Sequence, residues 1–338
     1  MVAYLRNNII NVPGYMIWTQ HYEKHGGVHM SINLIRTAIA AMTECDSLSI
    51  RLLKINNSKK NGTSYASREI TLYPVGKLNN IVEDIAERYL DDTKGKMNQY
   101  RETMDYDGTA EGSIIYRLDS DNELISEEFP RLLESIANTN QELDPFEHPF
   151  QAYMVQGTVI INRTSRNVKL ICMQKPVTVL HHKFLKKSGG FEEIKEKVLS
   201  LKPFIDVVII DDEVYFLTMS GENLFNMERA YKKICSNKIS EVVNADIIND
   251  DEVFTSIASS GHNPRRFVSF NQSRMNALKN KKEREMQAAR FKIPLKKGKF
   301  DTRKPEDAER LVKLLCNKGM VDPFEDLPVE VTGSKKWN

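Results

Sequence analysis

Between Gln151 and Leu217 the chain strings together short apolar runs rich in β-branched residues, and this constrains the fold most. Gln151–Asn162, Asn167–Met173 and Val177–Phe184 read as consecutive strands of an antiparallel sheet. Phe204–Ile210 and Val214–Leu217 flank the acidic turn Asp211-Asp212-Glu213, a hairpin pattern. Helical periodicity lies on either side. A helix is expected near Ser31, which can cap it, with Ile32, Ile35, Ala38, Ile39 and Met42 on one face. Strands are expected at Leu48–Ile55 and Ser67–Val75 about a polar turn at Asn56–Gly62. Leu78–Tyr100 reads as a helix, Ser113–Leu118 as a strand and Ser126–Ile136 as a helix. A helix opens at Gly221-Glu222, and a last one runs from Pro305 to a C-cap at Gly319. The fold class is α+β: two domains, each a small mostly antiparallel sheet with packed helices.

The prolines of Asp144-Pro145-Phe146-Glu147-His148-Pro149 resist regular structure and mark the expected boundary. This gives an N-terminal appendage at 1–29, an α+β domain at 30–148 with an acidic segment, and a C-terminal α+β domain at 149–338. Cys45, Cys172, Cys235 and Cys316 are too dispersed for a zinc ribbon or redox pair and read as buried thiols in a reducing compartment. No apolar run reaches the ~20 residues of a membrane span. The first residues show no export signal, so a cytoplasmic location is expected.

Charge is the functional signal. Residues 262–304 hold fourteen Lys and Arg against three acids, a net of +11, although the whole chain is only +2. So one-sided a block builds a local positive field whose usual partner is a polyanion. Residues 91–147 are the counterweight at −10, so the block could instead dock on an acidic face. Gly261-His262-Asn263-Pro264 forms a turn presenting Arg265 and Arg266. Ser269–Phe291 has the composition of one helix, with Arg274, Lys281 and Arg284 on nearly one side, opposite a thin stripe of Met275, Leu278, Met286 and Ala289. Lys292 to Lys299 reads as a basic loop. The candidate nucleic-acid-binding residues are Arg265, Arg266, Arg274, Lys279, Lys281, Lys282, Arg284, Arg290, Lys292, Lys296, Lys297 and Lys299. With no zinc finger or helix-turn-helix pattern, backbone contact without strong sequence preference is expected.

Enzymatic readings are weaker. His21, His25 and His29 are spaced by four, but Gly26-Gly27 interrupts the row, so no metal is assigned. Asp206, Asp211, Asp212, Glu213 and Glu222 could hold Mg²⁺ for a nuclease, although hairpin turns attract Asp for local hydrogen bonding alone. No nucleotide-binding or hydrolase motif is present, so no cofactor and no catalytic residue is assigned. The alternatives are a Mg²⁺-dependent nuclease using carboxylates around Asp206, and a protein-interaction subunit without nucleic-acid binding.

The second half also resembles a known family. The residues are Met173-Gln174-Lys175-Pro176-Val177-Thr178-Val179-Leu180, Ile205-Asp206-Val207-Val208-Ile209-Ile210 and Val214-Tyr215-Phe216-Leu217. With them go Glu222-Asn223-Leu224-Phe225, Gly261-His262-Asn263-Pro264-Arg265-Arg266-Phe267, Leu311-Val312-Lys313-Leu314-Leu315-Cys316 and Lys335-Lys336-Trp337. Over residues 150–338 the chain resembles the KwaB-like proteins of the Kiwa antiphage defence system. The resemblance implies a non-enzymatic effector that binds double-stranded DNA and blocks phage replication or transcription. It further implies a homodimer that assembles with a KwaA-like membrane protein and is recruited to the inner face of the membrane.

Overall fold

The structure is a computed structural model and describes residues 8–12, 15–19, 27–58, 62–73, 76–138, 150–174, 183–194, 201–321 and 328–330. The chain divides into two compact units, one of residues 1–105 and 111–226, the other of residues 106–110 and 227–338. These units do not follow the expected boundary at 148/149, because strands from both sides of it pair in a single sheet.

The first unit opens with a small antiparallel ladder, β1 (Asn8–Val12) with β2 (Tyr15–Thr19). Helix α1 (Gly27–Met42) follows, then β3 (Ser49–Ser58), β4 (Gly62–Glu69), α2 (Lys77–Leu90), β5 (Glu102–Asp105), β6 (Ile114–Asp119) and α3 (Glu128–Ala137). Next come β7 (Ala152–Ile161), β8 (Thr164–Met173), the separate hairpin β9 (Lys183–Lys187) and β10 (Gly190–Ile194), then β11 (Val207–Ile210), β12 (Glu213–Phe216) and α4 (Gly221–Leu224). Eight strands form one sheet in the order β4-β3-β7-β8-β11-β12-β6-β5. All neighbours are antiparallel except β5 with β6. The class is therefore α+β, built on one large sheet where two small ones were expected.

Both sheet faces are dry near the centre. Ile50, Leu52, Tyr153, Val155, Leu170 and Val208 join Ile35, Ile39, Val82 and Ile85 of α1 and α2 in one core. The alternate residues Leu53, Met154, Ile171, Val207, Ile209 and Phe216 are buried as well. Burial on both faces explains why the central strands read as unbroken apolar runs. Tyrosine hydroxyls secure the strand ends: Tyr89 donates to the Ile205 carbonyl (2.9 Å), Tyr100 to Leu217 (2.8 Å) and Tyr153 to Lys202 (2.9 Å). The expected face of α1 is buried as predicted, and all four cysteines are free and buried.

Several boundaries differ. The strand expected at 67–75 is β4 at 62–69. The long helix expected to Tyr100 ends at Leu90 and is followed by a 3-10 turn at Lys96–Gln99. The strand expected at 177–184 lies largely outside the described residues.

The second unit holds α5 (Met227–Asn244), α6 (Asp251–Ala258), α7 (Asn263–Arg266), α8 (Gln272–Leu278) and α9 (Lys281–Arg290). The hairpin β13 (Leu295–Lys296) and β14 (Lys299–Phe300), α10 (Pro305–Leu315), and the pair β15 (Gly319–Val321) and β16 (Pro328–Glu330) complete it. Its core includes Ile234, Phe254, Phe267, Leu278, Phe300, Leu311 and Leu315. Helix α10 starts at Pro305 as expected but stops at Leu315. Asn317 (φ 55°) takes the left-handed position expected of Gly319, which instead begins β15.

Candidate nucleic-acid interface

The basic stretch is two helices and a hairpin. Asn271 caps α8, its side chain accepting from the Arg274 amide (2.8 Å), and Asn280 caps α9, accepting from the amides of Lys282 (2.9 Å) and Glu283 (3.4 Å). The single helix expected over 269–291 is thus broken at Lys279-Asn280. Asn280-Lys281-Lys282-Glu283 has the residue types and spacing of an N-terminal cap, a signal present in the sequence. Buried Phe291 and Ile293 then lead into the β13–β14 hairpin. Its loop residues Lys297 (φ 53°) and Gly298 (φ 78°) both take left-handed conformations, the pattern of a two-residue hairpin turn.

The twelve cations predicted for the interface fall into two groups. Five are engaged within the unit. Arg265 donates through Nε to the Tyr106 hydroxyl (3.0 Å) and through Nη2 to the Thr109 carbonyl (3.2 Å), and lies over the rings of Tyr106 and Tyr231. Arg266 is paired with Glu309 and donates to Asn263 Oδ1 (2.5 Å). Arg274 is half-buried and donates to the Leu314 carbonyl. Arg284 donates Nε to the Gly298 carbonyl (2.7 Å) and Nη1 to the Leu278 carbonyl (2.8 Å), tying α8, α9 and the hairpin together. Lys299 is paired with Asp246. The ridge expected from Arg274, Lys281 and Arg284 therefore does not form: the helix break changes their phase, and the two arginines turn inward to backbone carbonyls.

The other seven, Lys279, Lys281, Lys282, Arg290, Lys292, Lys296 and Lys297, are exposed. Among the described residues, Lys281 is the one of the seven that forms an ion pair, with Glu285 at 3.8 Å, a loose surface pair. Between α9 and the start of α10 runs an open groove of about 480 Å³ that carries Lys292, Lys304 and Arg310 on its walls, with Glu306 and Asp307 among them. Lys304 and Arg310 were not in the predicted set; Arg310 faces the groove from α10, where it pairs with Asp307 (3.1 Å). Of the aromatic residues of this stretch, Phe267, Phe291 and Phe300 are buried in the core and are not platforms for base stacking, while Phe270 is half-buried, stacked on Phe267 and covered by the Lys238 ammonium.

Three of the five carboxylates considered for a nuclease, Asp206, Asp211 and Glu213, are held by local bonds. Asp206 is buried and accepts from the Met173 amide (2.8 Å) and the Thr218 hydroxyl, and desolvation holds its pKa above the usual range. Asp211 takes the left-handed turn position (φ 53°) and accepts from Arg166 (2.7 Å) and the Asn167 amide (2.9 Å). Glu213 accepts from the Tyr215 hydroxyl (2.6 Å). Among the described residues no three of His, Cys, Asp and Glu gather as metal ligands, and no helix is long and apolar enough to cross a membrane. The His21, His25 and His29 side chains lie outside the described residues.

Fold and surface together define an α+β protein whose helical unit displays a cationic face. Residues 147–321, just over half of the chain, match the family described as Kiwa protein KwaB-like. The chain belongs to this family, and membership implies a part in Kiwa antiphage defence. Neither the curated proteins nor the solved structures give a match.

Proposed function

We propose that this protein is a DNA-binding effector of Kiwa defence that holds the sugar-phosphate backbone through its seven exposed cations. The observation that carries this is the partition of the basic block: five cations are spent on internal contacts, and seven are exposed, one of which, Lys281, forms an ion pair among the described residues. An anion on that face meets charges of which one, Lys281, has an ion-pair partner to exchange among the described residues. Flexible lysine-rich chemistry without planar, bidentate geometry fits backbone contact better than base reading. Binding is then largely independent of sequence, and occupancy of injected DNA blocks its replication or transcription. The effector acts as a homodimer at the inner face of the membrane, held there by a KwaA-like partner, and no catalytic residue is assigned to it.

The test is a mobility shift with duplex DNA across a salt series, with and without Mg²⁺. A salt-sensitive shift with intact DNA supports the reading. DNA shortened only when Mg²⁺ is present would turn attention to the carboxylates around Asp206. No shift at low salt would leave the basic face to a protein partner.

A further inference from the structure

A second polar site lies on the sheet of the first unit. Ser49 of β3 pairs with Gln156 of β7, and Gln156 pairs in turn with Lys169 of β8. Thr158 and Asn167 form the pair two residues along, on the same face because strand side chains repeat every second residue. With Ser47 these residues line a cavity of about 190 Å³, roughly six times the ~30 Å³ that a water occupies in the liquid.

The hydrogen bonds within the cavity leave donors over. Gln156 Nε2 donates to Ser49 Oγ (3.1 Å), so the Ser49 O–H is left to donate elsewhere. Thr158 Oγ1 donates to Asn167 Oδ1 (3.0 Å), which leaves the Asn167 amide hydrogens for another acceptor. Lys169 is only partly exposed and has no ion pair among the described residues. The acids that act on it are Asp211, already held by Arg166 and the Asn167 amide, and Asp212, neither of which forms an ion pair with it among the described residues. Burial holds the Lys169 pKa below its usual range. A desolvated ammonium without a close counter-ion is costly, and an oxyanion in the cavity would relieve it.

We propose that this cavity binds a small oxyanion, a phosphate or carboxylate group on a molecule no larger than the cavity, held by the Lys169 ammonium and the Ser49 and Asn167 donors. The site is independent of the DNA reading, since none of its residues belongs to the basic block.

Calorimetric titration of the full chain with inorganic phosphate and, separately, malonate, at constant ionic strength, tests it. Saturable binding is expected, weakened roughly tenfold or more by Lys169→Met, the scale of one lost charge-assisted hydrogen bond. Ser49→Ala, a mild change at the start of β3, is expected to weaken it severalfold and serves if Lys169→Met does not fold. Binding of phosphate alone or malonate alone assigns the headgroup. Absence of saturable binding for both probes, or binding that these substitutions leave unchanged, overturns the proposal.

Discussion

Replacing Arg284 by Met separates a structural cation from a binding one. Its guanidinium makes two short hydrogen bonds, to the carbonyls of Gly298 (2.7 Å) and Leu278 (2.8 Å). A hydrogen bond from a charged donor contributes about 1.5–3 kcal/mol. Partial exposure discounts this, so about 2 kcal/mol is expected to be lost in total. For a unit of about 115 residues, an unfolding entropy near 2.1 cal/mol/K per residue gives about 0.24 kcal/mol/K. The midpoint of that unit should therefore fall by roughly 8 °C. Lys282 is exposed and its side chain makes no hydrogen bond or ion pair among the described residues, so Lys282→Met should shift the midpoint by about 2 °C at most. Scanning calorimetry gives the midpoints, and fluorescence anisotropy with labelled duplex DNA gives affinity for the folded variants. Lys282→Met should weaken DNA binding while melting like the parent, and Arg284→Met should do the reverse. If Arg284→Met melts with the parent and loses as much affinity as Lys282→Met, the assignment of Arg284 to the interior is wrong.

Arg51 is 4% exposed and reaches Glu69 at 2.8 Å. Glu69→Ala should cost about 2 kcal/mol by stranding a buried charge, whereas Arg51→Met should stay within about 1 kcal/mol of the parent, as denaturant titration will show. Asn280→Ala removes the α9 cap and should lower stability by about 1 kcal/mol in the same assay. Asp206 has a folded-state pKa raised above its unfolded value, so its contribution is most favourable below the unfolded pKa and is lost as pH rises through the folded one. The stability of Asp206→Asn relative to the parent should consequently rise between pH 4 and pH 7; a flat difference would contradict the shift. Burial pushes the Cys172 thiol up to about 12 and Cys235 to about 11, so neither should react with a thiol reagent at pH 8 until the protein unfolds.

Strands β7, β8, β11 and β12 were legible because burial on both faces leaves an almost uninterrupted apolar signature. The single sheet was not. The pairing of β3 with β7 joins Ser49–Leu53 to Ala152–Gln156 across about a hundred residues, and no local pattern announces a partner that distant. Strand β5 was also missed: four residues with one buried side chain carry little periodicity. In the basic stretch, the charge count located the candidate surface but could not sort its members. Whether an arginine faces water or a carbonyl depends on helix phase, and one cap at Asn280 reset that phase for Arg284 and everything beyond it. Lysines sorted more simply. Six of the seven predicted lysines are exposed, consistent with a compact ammonium that is costly to desolvate.

The most direct test of DNA binding by the exposed face is the salt dependence of affinity for duplex DNA, comparing the parent with a variant in which Lys279, Lys282, Lys296 and Lys297 are all replaced by Gln. Each phosphate contact contributes about 0.9 to the slope of log affinity against log salt. If all four lysines reach phosphates, the slope should become shallower by up to about 3.6, with the melting temperature preserved. A variant that binds with the parent's slope and affinity, or a parent that binds no DNA at low salt, would contradict the account.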